Sequence, residues 1–117
     1  MTVKKLQNAY LVTREMNRAV AFYREALGLT LKFQDGTRWA QFDAGGTNVS
    51  LSAPEEAADG ACGAVLVFEV DDLEAAAARV AAHGGTLGAR RDMGAHGRTL
   101  TVRDPDGNVI QLFQRAG

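Results

Sequence analysis

The stretch Met16-Asn17-Arg18-Ala19-Val20-Ala21-Phe22-Tyr23-Arg24-Glu25-Ala26-Leu27-Gly28 returns in pattern 57 residues later, as Leu73 to Gly85. Met16 falls on Leu73, Ala19 on Ala76, Val20 on Ala77 and Tyr23 on Val80, and both copies end in glycine. Apolar residues at this spacing form the stripe of a helix packed along one side. Gly28 sits where a left-handed C-terminal residue belongs. Thr13 is the expected N-cap of the first helix, and Asp71 with Glu74 has the spacing of a capping box for the second.

Outward from each helix the surroundings also repeat. Leu6–Val12 reads as a strand before the first helix, with Leu6, Asn8, Tyr10 and Val12 on one face. Three more strands follow it, at Leu29–Gln34, Trp39–Asp43 and Asn48–Ser52, separated by Asp35-Gly36 and Gly45-Gly46 turns. Ala64–Val70 precedes the second helix, and Thr86–Arg91, Thr99–Arg103 and Val109–Gln114 follow it. Between the last two, Asp104-Pro105-Asp106-Gly107 is a turn in which Pro pre-sets φ and Gly supplies a positive one. The expected fold is α+β, one domain over 1–117. It is built from two βαβββ modules, at about 4–53 and about 64–115, with a linker at about 54–63. A four-stranded sheet with one helix leaves its other face uncovered, so the two units are expected to curl those faces around a shared cavity.

Composition narrows the function. A chain of 117 residues with 46% hydrophobic and 23% charged residues can bury about two-thirds of its surface in a real core. A net charge of −1 lacks the basic excess of a nucleic-acid binder. Met1-Thr2-Val3-Lys4-Lys5 leads into no apolar run of leader length, and no stretch approaches a membrane span of ~20 apolar residues. The expectation is a soluble cytoplasmic protein with neither nucleic-acid nor membrane partners. The one cysteine, Cys62, excludes an intramolecular disulfide, and the only histidines are His83 and His96.

Three segments carry a family resemblance: Ala21-Phe22-Tyr23-Arg24-Glu25-Ala26-Leu27-Gly28-Leu29, Phe68-Glu69-Val70-Asp71-Asp72-Leu73 and Asp104-Pro105-Asp106-Gly107-Asn108. Together, in this order, they resemble the vicinal oxygen chelate superfamily of glyoxalases, extradiol dioxygenases, fosfomycin-resistance enzymes and bleomycin-resistance binding proteins. The resemblance implies an open eight-stranded barrel-like cavity (the glyoxalase/bleomycin resistance fold) and a homodimer. It also implies four metal-ligand slots, which fall in this chain on Asn8, Ser50, Val65 and Gln111. Val65 cannot coordinate, and three neutral amide or hydroxyl oxygens cannot offset the dehydration of a dication. The resemblance is therefore to a metal-free, cofactor-free member.

Strand alternation, with those slots taken as inward, gives a lining of Asn8, Tyr10, Trp39, Ser50, Val65, Glu69, Gln111 and Phe113. Aromatic walls with scattered amides and hydroxyls suit a small, partly aromatic organic ligand. The expected function is small-molecule binding or sequestration, of the antibiotic-resistance type. The alternative is a glyoxalase-like lyase of the same superfamily. For that case the candidate catalytic bases are His96, in a Gly-Ala-His-Gly loop, and Glu69, whose pKa an apolar cavity would raise.

Overall fold

The computed structural model describes residues 4–117. The first half runs β1 (Ala9–Val12), α1 (Met16–Ala21), β2 (Thr30–Asp35), β3 (Trp39–Asp43) and β4 (Asn48–Ser52). The second runs β5 (Leu66–Glu69), α2 (Leu73–Ala82), β6 (Thr86–Asp92), β7 (Arg98–Arg103) and β8 (Val109–Gln114). Among the described residues each half forms its own four-stranded sheet, in the orders β1-β4-β3-β2 and β5-β8-β7-β6. In both, the first strand pairs in parallel with the last, which a helical crossover permits, and the remaining pairs are antiparallel. The α+β reading and the repeat therefore hold. The sheets do not close into a barrel.

Local differences have local causes. β1 begins at Ala9 rather than Leu6, and just before it the Asn48 side chain donates to the Gln7 carbonyl at 3.1 Å. Thr13 does not cap α1. Its hydroxyl donates to Asp106 Oδ2 at 2.6 Å and accepts the Glu15 N–H, so Glu15 becomes the N-cap, without a side-chain cap bond. Asp72, not Asp71, caps α2, accepting the Ala75 N–H at 3.1 Å. α1 runs on into a wider π-turn over Phe22–Ala26 before Gly28 takes φ +71°. The linker contains a short 3-10 turn at Pro54–Glu56.

One core serves both halves. Ala40, Phe42 and Leu51 from the first sheet and Leu100, Val102, Ile110 and Leu112 from the second are buried with the apolar stripes of α1 and α2. The halves are also joined by polar groups. Arg79 Nε donates to the Ala26 carbonyl at 3.4 Å, satisfying a helix-end acceptor. Asp104, 3% exposed, accepts the Tyr23 hydroxyl at 2.8 Å, the Asp106 and Asn108 N–H groups at 2.9 Å, and Asn108 Nδ2 at 3.0 Å. Asn108 Nδ2 also donates to the Val12 carbonyl at 2.9 Å. Burial, and then the Asp104 carboxylate beside it, hold the Tyr23 phenol far above the usual tyrosine range. The Asp104–Asn108 turn thus fastens the second half to β1 and α1 of the first.

The sheet faces turned away from the helices are only partly covered. Phe33, Val65 and Val67 are 49%, 47% and 56% exposed. The accessible surface of 7266 Å² exceeds the roughly 6,200 Å² of a compact monomer of this size.

Candidate functional site

Strand register decides which side chains share the uncovered faces. Leu51 and Phe42 point into the core, so their neighbours Ser50 and Gln41 point away from it, together with Tyr10 and Phe33, which stand opposite them. Trp39 takes the same side: its ring lies 5.3 Å from that of Tyr10, tilted by 58°. On the second sheet, Val67 lines up with Gln111 and Thr101, and Glu69 with Phe113 and Thr99. Tyr10, Trp39, Ser50, Glu69, Gln111 and Phe113 therefore lie on helix-free faces, divided between two sheets, while Asn8 and Val65 lie just before β1 and β5.

The edges β1 and β5 flank a half-open cleft of about 680 Å³. Asn8, Tyr10 and Val12 line it together with Ala58, Ala61, Cys62 and Val65 and with Gly107 to Val109. Asn8, Tyr10 and Val65 thus meet in one space. Ser50 and Trp39 stand behind it, and each touches one of those residues. Ser50 is fully buried and its Oγ donates to Asn8 Oδ1 at 2.8 Å. The Tyr10 hydroxyl accepts the Ala58 N–H at 2.8 Å, tying the linker across the cleft. No buried side-chain polar atom among the described residues lacks a partner.

Glu69, Gln111 and Phe113 lie outside this cleft, further along the second sheet. Gln111 Nε2 donates to Thr101 Oγ1 at 3.3 Å. Glu69 is exposed and paired with Arg115 at 2.8 Å, so the apolar surroundings expected for a carboxylate base are not found. His96 is exposed at the end of the Gly94–His96 turn. The following Gly97, at φ +92°, is packed so tightly that a Cβ would lie 2.8 Å from the Phe113 ring. His83 ends α2, with Nδ1 3.9 Å from Glu25. Several cleft residues carry no binding signal in the sequence: Asn108 belongs to a turn motif, and Ala58 acts through its backbone N–H, which its side chain does not announce.

A resident divalent metal does not fit this donor set. Asn8 offers only a neutral amide oxygen that already accepts the Ser50 hydroxyl once, Val65 has no donor, and Gln111 is a neutral amide. No three His, Cys, Asp or Glu side chains come together among the described residues. Borderline dications need imidazole, thiolate or carboxylate ligands. No described helix is long and apolar enough to cross a membrane.

Solved structures share the fold. The lactoylglutathione lyase of Agrobacterium tumefaciens superposes with a TM-score of 0.76 at 20% identity, over 97% of this chain and 96% of that one. A glyoxalase/bleomycin resistance protein/dioxygenase family enzyme of Burkholderia phytofirmans PsJN gives 0.79 at 22% identity, over 96% and 99%. The fosfomycin resistance protein FosX of Listeria monocytogenes, solved with Mn(II) and 1S,2S-dihydroxypropylphosphonic acid, gives 0.79 at 15% identity, over 97% and 92%. In sequence, an uncharacterized protein of Mycolicibacterium smegmatis is 32% identical over 114 residues, covering 97% of this chain and 96% of its own length. A model of one family matches residues 5–112, nearly the whole repeat. The chain belongs to the Glyoxalase/Bleomycin resistance protein/Dioxygenase superfamily.

Proposed function

We propose that this member binds a small organic molecule without a metal, in the cleft between β1 and β5. The observation that carries the reading is the Ser50–Asn8 hydrogen bond. It turns two expected ligand positions into a fixed amide, in a cleft lined by Tyr10 and by small apolar residues. Asn8, Tyr10 and Val65 contact the guest. Ser50 and Trp39 hold Asn8 and Tyr10 in place. Gln111, Glu69 and Phe113 extend the lining along the second sheet. The protein acts as a homodimer: the excess surface and the exposed Phe33 and Val67 supply an apolar face for a second copy. Native mass spectrometry of freshly purified protein tests all three parts. The expected result is a dimer that carries a small organic adduct and no stoichiometric metal. One metal per chain overturns the reading, and turnover that persists in excess chelator favours a metal-independent lyase instead.

A further inference from the structure

The cleft at the seam of the two sheets has an unusual lining. Among the described residues its lining contains no Asp, Glu, Lys, Arg or His. In a chain that is 23% charged, that excludes ionic recognition inside the cleft, because an ion entering it would lose hydration without gaining a counter-charge. The polar groups that remain also have a direction. Asn8 Oδ1 accepts the Ser50 hydroxyl, which fixes the amide, and the Asn8 NH₂ makes no hydrogen bond among the described residues, so it is the donor that can meet a guest. The Tyr10 oxygen already accepts the Ala58 N–H, which leaves its own O–H to donate. Asn108 uses Nδ2 twice, on Val12 and on Asp104, and is held in place in the cleft lining. Asn8, just before β1, and Tyr10, within it, are two residues apart and both line the cleft. They stand beside apolar surface from Val12, Val65 and Leu66.

Resting on the ligand-binding reading above, we infer that the guest is an uncharged molecule with an apolar body and hydrogen-bond-accepting oxygens. A ketone, ester or amide carbonyl meets that description; a carboxylate or an ammonium ion does not. The Asn8 amide and the Tyr10 hydroxyl donate to those oxygens, and the alanine-rich linker covers the apolar part. A site built from neutral donors rejects a guest without acceptors, because binding would leave those donors unpaired.

Three probes with the same ring system test this on the full chain by isothermal titration: 2-acetylnaphthalene, 2-naphthoate and 2-naphthylmethylammonium. The ketone is expected to bind at least tenfold more tightly than either ion. Asn8→Asp keeps the acceptor for Ser50 and replaces the outward NH₂ with a carboxylate oxygen. It is expected to weaken the ketone about five- to tenfold and to reverse the order in favour of the ammonium, with the apo melting temperature unchanged within a few degrees. Tyr10→Phe removes the second donor and is expected to weaken the ketone by a similar factor. An ion that binds wild-type protein as tightly as the ketone overturns the inference while leaving the binding reading intact. So does an Asn8→Asp variant that retains the wild-type preference. If none of the three probes saturates, the binding reading itself fails, and the inference fails with it.

Discussion

Replacing Asp104 by Ala removes the acceptor at the centre of the joint between the two halves. Four hydrogen bonds end on this carboxylate: from the Tyr23 hydroxyl, two turn N–H groups and Asn108 Nδ2. Hydrogen bonds to a charged group contribute ~1.5–3 kcal/mol each, but water can rehydrate the turn donors once the carboxylate is gone. The Tyr23 hydroxyl is buried and cannot be rehydrated, which costs about 1–3 kcal/mol. Asp104→Ala is therefore expected to destabilise the protein by about 3–5 kcal/mol, a large part of a typical total of 5–15 kcal/mol. Tyr23→Phe alone should cost only about 1–2 kcal/mol, because Asp104 keeps three donors. The two effects should not add. In the Asp104→Ala background, Tyr23→Phe removes a stranded hydroxyl and should be neutral or slightly stabilising, giving a coupling energy of about 1–2 kcal/mol. Urea unfolding of the four proteins at one concentration measures the cycle. If Tyr23→Phe costs the same in both backgrounds, the bond is not a joint, and the role assigned to the turn is wrong.

Other expectations follow from the same contacts. Because the folded state holds the Tyr23 phenol protonated and the unfolded chain releases that proton near pH 10, stability is intact below about pH 10. It falls above that by about 1.4 kcal/mol per pH unit; alkaline unfolding of Tyr23→Phe should lack this slope. Gly85→Ala places a Cβ 2.5 Å from Val80 Cγ1 and 2.9 Å from the Phe22 ring, and thermal unfolding should show a loss of about 1–3 kcal/mol from overpacking alone. Excess Zn²⁺, Ni²⁺ or Mn²⁺ should leave the wild-type melting temperature unchanged. The combination Asn8→His, Val65→His and Gln111→Glu, with Ser50→Glu added, should raise it on metal addition; a folded variant that binds nothing refutes the slot assignment.

The repeat was legible because its signals are periodic and local. Apolar stripes with glycine stops marked both helices, and the turn pairs placed β3, β4 and β8 at their observed bounds. Residues whose side chains act at a distance could not be read this way. Thr13 looks like a cap in sequence, but its hydroxyl is committed to Asp106, 93 residues away. Glu69 sits on the expected strand face, yet Arg115, 46 residues on, pairs with it at the surface. Alternation gave the face of each candidate residue but could not say that β1 and β5 are edges with a cleft between them. That separates Asn8, Tyr10 and Val65 from Gln111 and Phe113.

The joint and the cleft share atoms, which links stability to recognition. Asn108 bonds both Asp104 and the Val12 carbonyl, and it also lines the cleft. Val12 continues the strand that carries Asn8 and Tyr10. The turn therefore sets how β1 sits against the second half, and hence how far apart the cleft walls stand. This explains why so polar a segment as Asp104-Pro105-Asp106-Gly107-Asn108 can matter without supplying any reacting group. Its carboxylates bond the backbone and Tyr23, Thr13 and Arg14, and neither Asp104 nor Asp106 lines the cleft. The cleft is lined by neutral residues, while the joint beside it depends on a buried carboxylate.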